Sequence, residues 1–171
     1  MISIWSEPLV PGLLFLNEPG VGSGGTGDEI GAGITYNDVT NLLNLANVGW
    51  GSSQGFTDLS SLANNSHVHV TASVLGNDGT GNFKQIGSPV FNLGRSSNAV
   101  TGGVFTGPSN QITLTETQER DLMNGKYYIN IHTTGNGGGE IRGFLVPEPA
   151  SLGLLAVGAA GLLARRRNRT A

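Results

Sequence analysis

The sequence predicts a mainly β protein: an antiparallel, Greek-key-like sandwich or barrel with one short helix, followed by a C-terminal hydrophobic helix. Three observations predict it. Glycine is abundant, at 28 of 171 residues, while charged residues make up only 12%. That balance, with Val, Ile, Thr and Asn common, suits short strands joined by many turns. Short apolar or alternating runs recur between turn signals, the pattern of all-β sandwiches and barrels. Helix punctuation at both ends marks Thr115 to Asn124. The length suffices for one domain with a real core plus a tail.

Taken in order, residues 1 to 30 combine prolines with a Gly/Ser run from Gly20 to Gly27, which predicts loops around one short strand at Leu13 to Leu16. Gly33 to Asn37 reads as a strand ending at the turn Asn37-Asp38, and Leu42 to Val48 as a second strand. Gly49 to Ser53 reads as a loop around Trp50. Asn65 to Leu75 is the clearest strand, with His67, His69 and Thr71 on one face and Val68, Val70 and Ala72 on the other. Asn77-Asp78-Gly79 is a turn signal, and the oxygen-rich stretch to Asn82 lacks the closing glutamate of an EF-hand. Ser88 to Leu93 and Val100 to Thr106 read as further strands. Thr115 and Gln118 form a capping box, and Asn124-Gly125 supplies a left-handed stop.

Tyr127 to Thr133 and Glu140 to Val146 read as a hairpin across the glycine-rich loop Thr134 to Gly139. Pairing Thr133 with Gly139 sets His132 opposite Glu140, Asn130 opposite Arg142 and Tyr128 opposite Phe144. Ile129, Ile131, Ile141 and Leu145 then form the core face. Glu140 and Arg142 share the other face, either as a polar site beside His132 or as an ion pair toward Asp121 or Glu119.

The charges are unevenly placed. Arg165, Arg166, Arg167 and Arg169 crowd the end, which leaves the body with five basic against eleven acidic residues. An acidic body without an aromatic-basic stripe excludes a nucleic-acid binder, which needs cations against phosphate. The absence of cysteine excludes disulfide frameworks, thiolate metal sites and cysteine nucleophiles. No phosphate loop, nucleophile elbow or paired glycosidase acids stand out.

At the C-terminus, Pro147-Glu148-Pro149 precedes the uncharged stretch Ala150 to Ala164, and Arg165-Arg166-Arg167 follows. As a helix that stretch spans about 22 Å, short of a hydrocarbon core of about 30 Å. It suits a segment held briefly in the inner membrane with its arginines on the cytoplasmic side, or alternatively a retained anchor. The order of features from Val146 to Ala171 resembles the PEP-CTERM sorting tag. The resemblance implies export and then recognition and cleavage near Pro-Glu-Pro by an exosortase-type membrane enzyme, in a setting of exopolysaccharide and biofilm. Met1 to Gly20 lacks Lys and Arg, and Leu13 to Leu16 is too short for a signal-peptide core, so the expected export signal lies upstream of Met1.

In the body, Asn130-Ile131-His132-Thr133, the glycine-rich loop and Gly139-Glu140-Ile141-Arg142-Gly143 resemble the closing hairpin of the CHRD domain, named for chordin. Ser66-His67-Val68-His69 resembles that family's Ala-His-Ile-His element, with Ser66 for the alanine and Val70-Thr71 for the usual Gly-Pro. Ile34-Thr35-Tyr36-Asn37, with Leu43 and Leu45, resembles its first core hairpin. The resemblance implies an extracellular β domain and supplies no reaction. The chain thus divides into a CHRD-like body, 1–145, and a sorting or anchor segment, 146–171.

Three histidines occur in all: His67, His69 and His132. Strand alternation sets His67 and His69 side by side about 7 Å apart, a His-x-His spacing that suits neutral imidazole ligands to one ion. His132 and Glu140 are candidates for a third and fourth ligand, and imidazole richness favours zinc or copper. A β-sandwich with a His-x-His strand resembles copper-zinc superoxide dismutase. The bland alternative is histidines bonded only to backbone and carboxylate groups. The sequence therefore favours an exported cell-surface or extracellular-matrix domain of binding or structural role over an enzyme. Its sorting residues are Pro147, Glu148, Pro149, Arg165, Arg166 and Arg167, and its partners an exosortase-type enzyme and an extracellular polysaccharide or matrix protein. The alternative is a metal-binding enzyme of superoxide-dismutase-like type built on the histidine cluster.

Overall fold

A computed structural model describes residues 16–17, 21, 24–72 and 85–145. The expected strand at Leu13 to Leu16 lies mostly outside this range. The turn at Asn77-Asp78-Gly79 and the tail 146–171, with its expected hydrophobic helix and sorting residues, lie wholly outside it. Among the described residues no helix is long and apolar enough to cross a membrane.

The described chain is mainly β, as composition implies. Eleven strands follow in order: β1 (Leu16–Asn17), β2 (Gly27–Glu29), β3 (Thr35–Asn37), β4 (Leu42–Asn44), β5 (Val48–Trp50), β6 (Ala63–Val70), β7 (Ser88–Asn92), β8 (Gly103–Val104), β9 (Gln111–Thr113), β10 (Tyr127–Thr133) and β11 (Ile141–Leu145). One helix, α1 (Glu116–Met123), lies between β9 and β10. The strands form a five-stranded antiparallel sheet, β1-β11-β10-β6-β7, and two three-stranded ones, β2-β5-β8 and β3-β4-β9. One apolar core joins them: Val68, Ile129, Ile131 and Ile141 from the large sheet meet Val48 and Trp50 of one small sheet and Tyr36 and Leu43 of the other. Each of these side chains is withdrawn from water, which drives the sheets together.

The closing hairpin takes the predicted register. Asn130 pairs with Arg142 and Tyr128 with Phe144, while Ile129, Ile131, Ile141 and Leu145 face the core. The helix is capped as expected: Thr115 accepts from the Gln118 N–H, the Gln118 side chain returns to the Thr115 N–H, and Gly125 takes a φ of 61° just beyond the last turn. The Asn37-Asp38 turn also forms, with Asn37 Oδ1 accepting the N–H groups of Val39 and Thr40.

Four expectations need correction. The strand expected over Asn65 to Leu75 runs instead from Ala63 to Val70, with Thr71 and Ala72 outside it. Leu42 to Val48 is not one strand. Asn44 Oδ1 takes the Ala46 N–H, which turns the chain between β4 and β5 and sends each to a different sheet. Trp50 is in a strand and fully buried, not in a loop. Val100 to Thr106 shortens to β8 plus a single bridge from Phe105 to Arg95. Two strands, β2 and β9, lie where glycine and polar residues suggested no strand at all.

The capping box gives the fold a direct check. Replacing Thr115 with Ala should lower stability by about 1 kcal/mol in chemical denaturation, with the slope unchanged. Thr115→Ser should restore most of it. An unchanged midpoint in Thr115→Ala would show that the cap contributes nothing.

Candidate metal centre

The site is built on the outward face of β6 and β10. These strands pair antiparallel with Tyr128 opposite His69, Asn130 opposite His67 and His132 opposite Asn65. Because side chains alternate, Val68 and Ile129 enter the core while His67, His69, Tyr128, Asn130 and His132 project together from the other face. The three histidines, each on this face, are brought into one cluster. Their ring centroids stand 4.9 to 5.6 Å apart. One nitrogen from each lies within 4.8 Å of the other two.

Backbone carbonyls fix two of the rings. His69 Nδ1 lies 2.9 Å from the Gly87 carbonyl and His132 Nδ1 lies 3.0 Å from that of Gly137. A carbonyl only accepts, so each of these nitrogens carries a proton, and in a neutral ring the lone pair then falls on Nε2. His67 Nδ1 sits 3.1 Å from His132 Nε2. Two nitrogens on a tetrahedral ion, each at about 2.05 Å, lie about 3.3 Å apart, so this pair is near the spacing of two ligands, while the full set, which reaches 4.8 Å, must draw closer around an ion. Coordination through His67 Nδ1 requires its proton to move to Nε2.

His69 Nε2 is the telling atom. It is buried and has no hydrogen-bond partner among the described residues, and His69 as a whole is 6% exposed. An unmet buried acceptor costs about 1–3 kcal/mol, which a bound cation would offset. Burial lowers the pKa of His67, and the neighbouring His132 and His69 lower it further. Burial also lowers that of His69 against the opposing effect of its bond to Gly87, and the charges of His132 and Arg142 add to the lowering. Both rings are thus held in the neutral form that metal binding needs.

Glu140 is not with them. Gly139 takes a φ of 120°, and the Glu140 N–H bonds to the carbonyl of Ile131, so Glu140 enters the hairpin out of phase with the alternation. Its carboxylate is fully buried and accepts from the Gly25 N–H at 3.0 Å, the Ser60 N–H and hydroxyl at 2.6 Å each, and the Thr133 hydroxyl at 2.8 Å. Asn136 Nδ2 adds a longer bond of 3.3 Å. Arg142 also departs from the expected ion pair with Asp121 or Glu119. It lies over the Tyr128 ring at 4.4 Å and donates to the Gln85 carbonyl, while Asp121 pairs with Lys126 at 2.8 Å.

Sequence reasoning placed Tyr128 on this face but did not give it a role. Its ring stacks on His69 at 4.9 Å between centroids and 19° between planes. The carbonyls of Gly87 and Gly137 were missed because backbone acceptors leave no trace in side-chain chemistry. The one hint for Gly137 was the glycine-rich loop beside His132.

A family model described as the CHRD domain matches residues 17–145, and the chain belongs to that family. A second, the PEP-CTERM protein-sorting motif, matches residues 145–167. That motif supports export to the cell envelope and recognition by an exosortase. No curated protein and no solved structure matches the chain significantly. The two CHRD-like segments with histidines, 66–69 and 130–133, are hydrogen-bonded neighbours in the fold.

The Glu140 carboxylate sets a pH dependence. Burial by itself raises its pKa, but the bonds from Ser60, Gly25 and Thr133 outweigh that and hold it below the ordinary 4.5. A depressed folded-state value contributes stability that is complete above the unfolded pKa and is lost as pH falls through the folded one. Glu140→Gln should therefore be less stable at pH 7 by about 3 kcal/mol, and the gap to wild type should narrow as pH falls below about 4. Equal stability of the two proteins at pH 7 would contradict this role.

Proposed function

We propose that this CHRD-domain chain is an exported cell-surface or extracellular protein with a binding or structural role, whose body binds one zinc or copper ion through His67, His69 and His132. The observation that carries the metal reading is the buried Nε2 of His69, unmatched among the described residues, on a ring whose cluster brings one nitrogen from each of three imidazoles within 4.8 Å of one another. Three neutral nitrogen donors suit borderline cations such as zinc and copper over the hard ions that prefer oxygen. The withdrawal of Glu140 leaves an all-imidazole set among the described residues, in place of the four-ligand set with a carboxylate that the sequence suggested.

The tail supplies the address. In the proposed order of events, the segment 146–171 is held in the inner membrane only long enough for an exosortase to cut near Pro147-Glu148-Pro149 and release the body 1–145. The partner outside is an extracellular polysaccharide or matrix protein. Support comes from the sorting motif and from the short, arginine-stopped apolar stretch.

Two measurements test this. Titration of the purified protein with zinc and, separately, with Cu(II) should give one ion per chain. His67→Ala and His69→Ala should each bind more than about a hundredfold more weakly, beyond the 10- to 100-fold effect of losing an outer-shell contact. Equal and weak binding by wild type and variants would remove the metal reading. Mass spectrometry of the mature protein from its native host should find a C-terminus near Pro147, whereas an intact Ala171 would remove the cleavage step.

A further inference from the structure

Tyr128 touches His69 in two ways at once. Its ring stacks on the imidazole at 4.9 Å and 19°. Its hydroxyl accepts the Gly87 N–H at 3.1 Å, and the Gly87 carbonyl in turn accepts Nδ1–H of His69 at 2.9 Å. The two paths close a ring: Tyr128 hydroxyl, Gly87 peptide, His69 imidazole, and back through the stacked faces to Tyr128. One path fixes the plane of the imidazole and the other fixes its rotation and tautomer, so Nε2 is left with a single direction in which to point.

The rest of the local structure holds this ring of contacts in place. Tyr128 is fully buried, and the Arg142 guanidinium lies 4.4 Å from its ring, which restrains it further through a cation–π contact. Gly87 has room for no side chain, because a Cβ there would overlap the Val70 carbonyl. Only glycine lets the chain pass close enough to β6 for its carbonyl to reach His69. The register of β6 and β10 sets Tyr128 directly opposite His69, so the stack is a cross-strand pair fixed by the sheet.

We propose that Tyr128 is the positioning residue of the metal site, orienting His69 Nε2 by its ring and, through the Gly87 peptide, by its hydroxyl. This rests on the three-histidine reading above. A hydrogen bond to the outer nitrogen of a metal-binding histidine fixes the tautomer and raises the donor strength of the inner one, and its loss typically weakens affinity 10- to 100-fold. Here the bond to the histidine comes from a carbonyl, and Tyr128 acts one step further out by placing that carbonyl.

The test compares Cu(II) binding by the full chain and by Tyr128→Phe, which keeps the ring and removes the hydroxyl. Tyr128→Leu removes both, and Tyr127→Phe makes the same chemical change on the neighbouring core-facing tyrosine. Tyr128→Phe should bind Cu(II) about tenfold more weakly and with altered copper hyperfine splitting in electron paramagnetic resonance, and Tyr128→Leu should lose up to about a hundredfold. Tyr127→Phe should match wild type in both readouts. If Tyr128→Leu fails to fold, Tyr128→Phe still decides. Wild-type affinity and an unchanged spectrum in Tyr128→Phe overturn the proposal while leaving the three-histidine site intact. Absence of Cu(II) binding by the wild type overturns the site and this proposal together.

Discussion

The pairing of β6 with β10 is the constraint on which the rest of the molecule depends. These two strands are the centre of the five-stranded sheet, and their inner faces hold Val68, Ile129 and Ile131 at the heart of the core. Burial of each such side chain contributes about 1.5–3 kcal/mol, and a slip of one residue would turn all of them toward the outer face. The apolar face therefore fixes the register. The outer face inherits that register without contributing to the choice: His67, His69, Tyr128, Asn130 and His132 meet because the residues behind them must pack. A polar cluster that would be costly to gather by itself is gathered by the core.

The hairpin loop then separates two chemistries that lie close in sequence. His132 and Glu140 flank the same loop, yet the backbone turn at Gly139 sends the imidazole to the outer face and the carboxylate to the inner one. On the inner side Glu140 gathers the backbone of Gly25 and Ser60 and the hydroxyl of Thr133, tying two distant stretches of chain and the end of β10 to the start of β11. On the outer side the site among the described residues is left with nitrogen donors alone. One loop thus sets a carboxylate in the interior, where it ties the fold together, and an imidazole on the outer face beside the other two.

Much of this was legible in the sequence where period and punctuation agree. The alternation of His67 and His69, the hairpin register from Tyr127 to Ile131 and the capped helix all rest on local rules that tertiary structure left undisturbed. The failures share a cause. Glycine at Gly27, Gly49 and Gly51 reads as loop, but here it marks close approach of neighbouring backbone: a Cβ at Gly27 would press on the Gly49 carbonyl, and one at Gly51 on Thr101. That is why β2 and the buried strand around Trp50 were missed. Asn44 stands inside an apolar run, and its side chain bonds to the backbone of Ala46, so a continuous strand became two. The mispairing of Glu140 with His132 came from extending strict alternation one residue into a loop whose glycine breaks the phase. The role of Tyr128 could not be read because it works through the peptide of Gly87, far away in sequence.

In the proposed site, the core-fixed register of β6 and β10 makes one coordination centre of His67, His69 and His132. Crystals of the protein grown with zinc and measured above and below the zinc absorption edge test it most directly. One anomalous peak is expected about 2.0–2.1 Å from His67 Nδ1, His69 Nε2 and His132 Nε2 together. A well-occupied zinc bound elsewhere on the body, with those three rings still hydrogen-bonded to one another and to backbone, would contradict it.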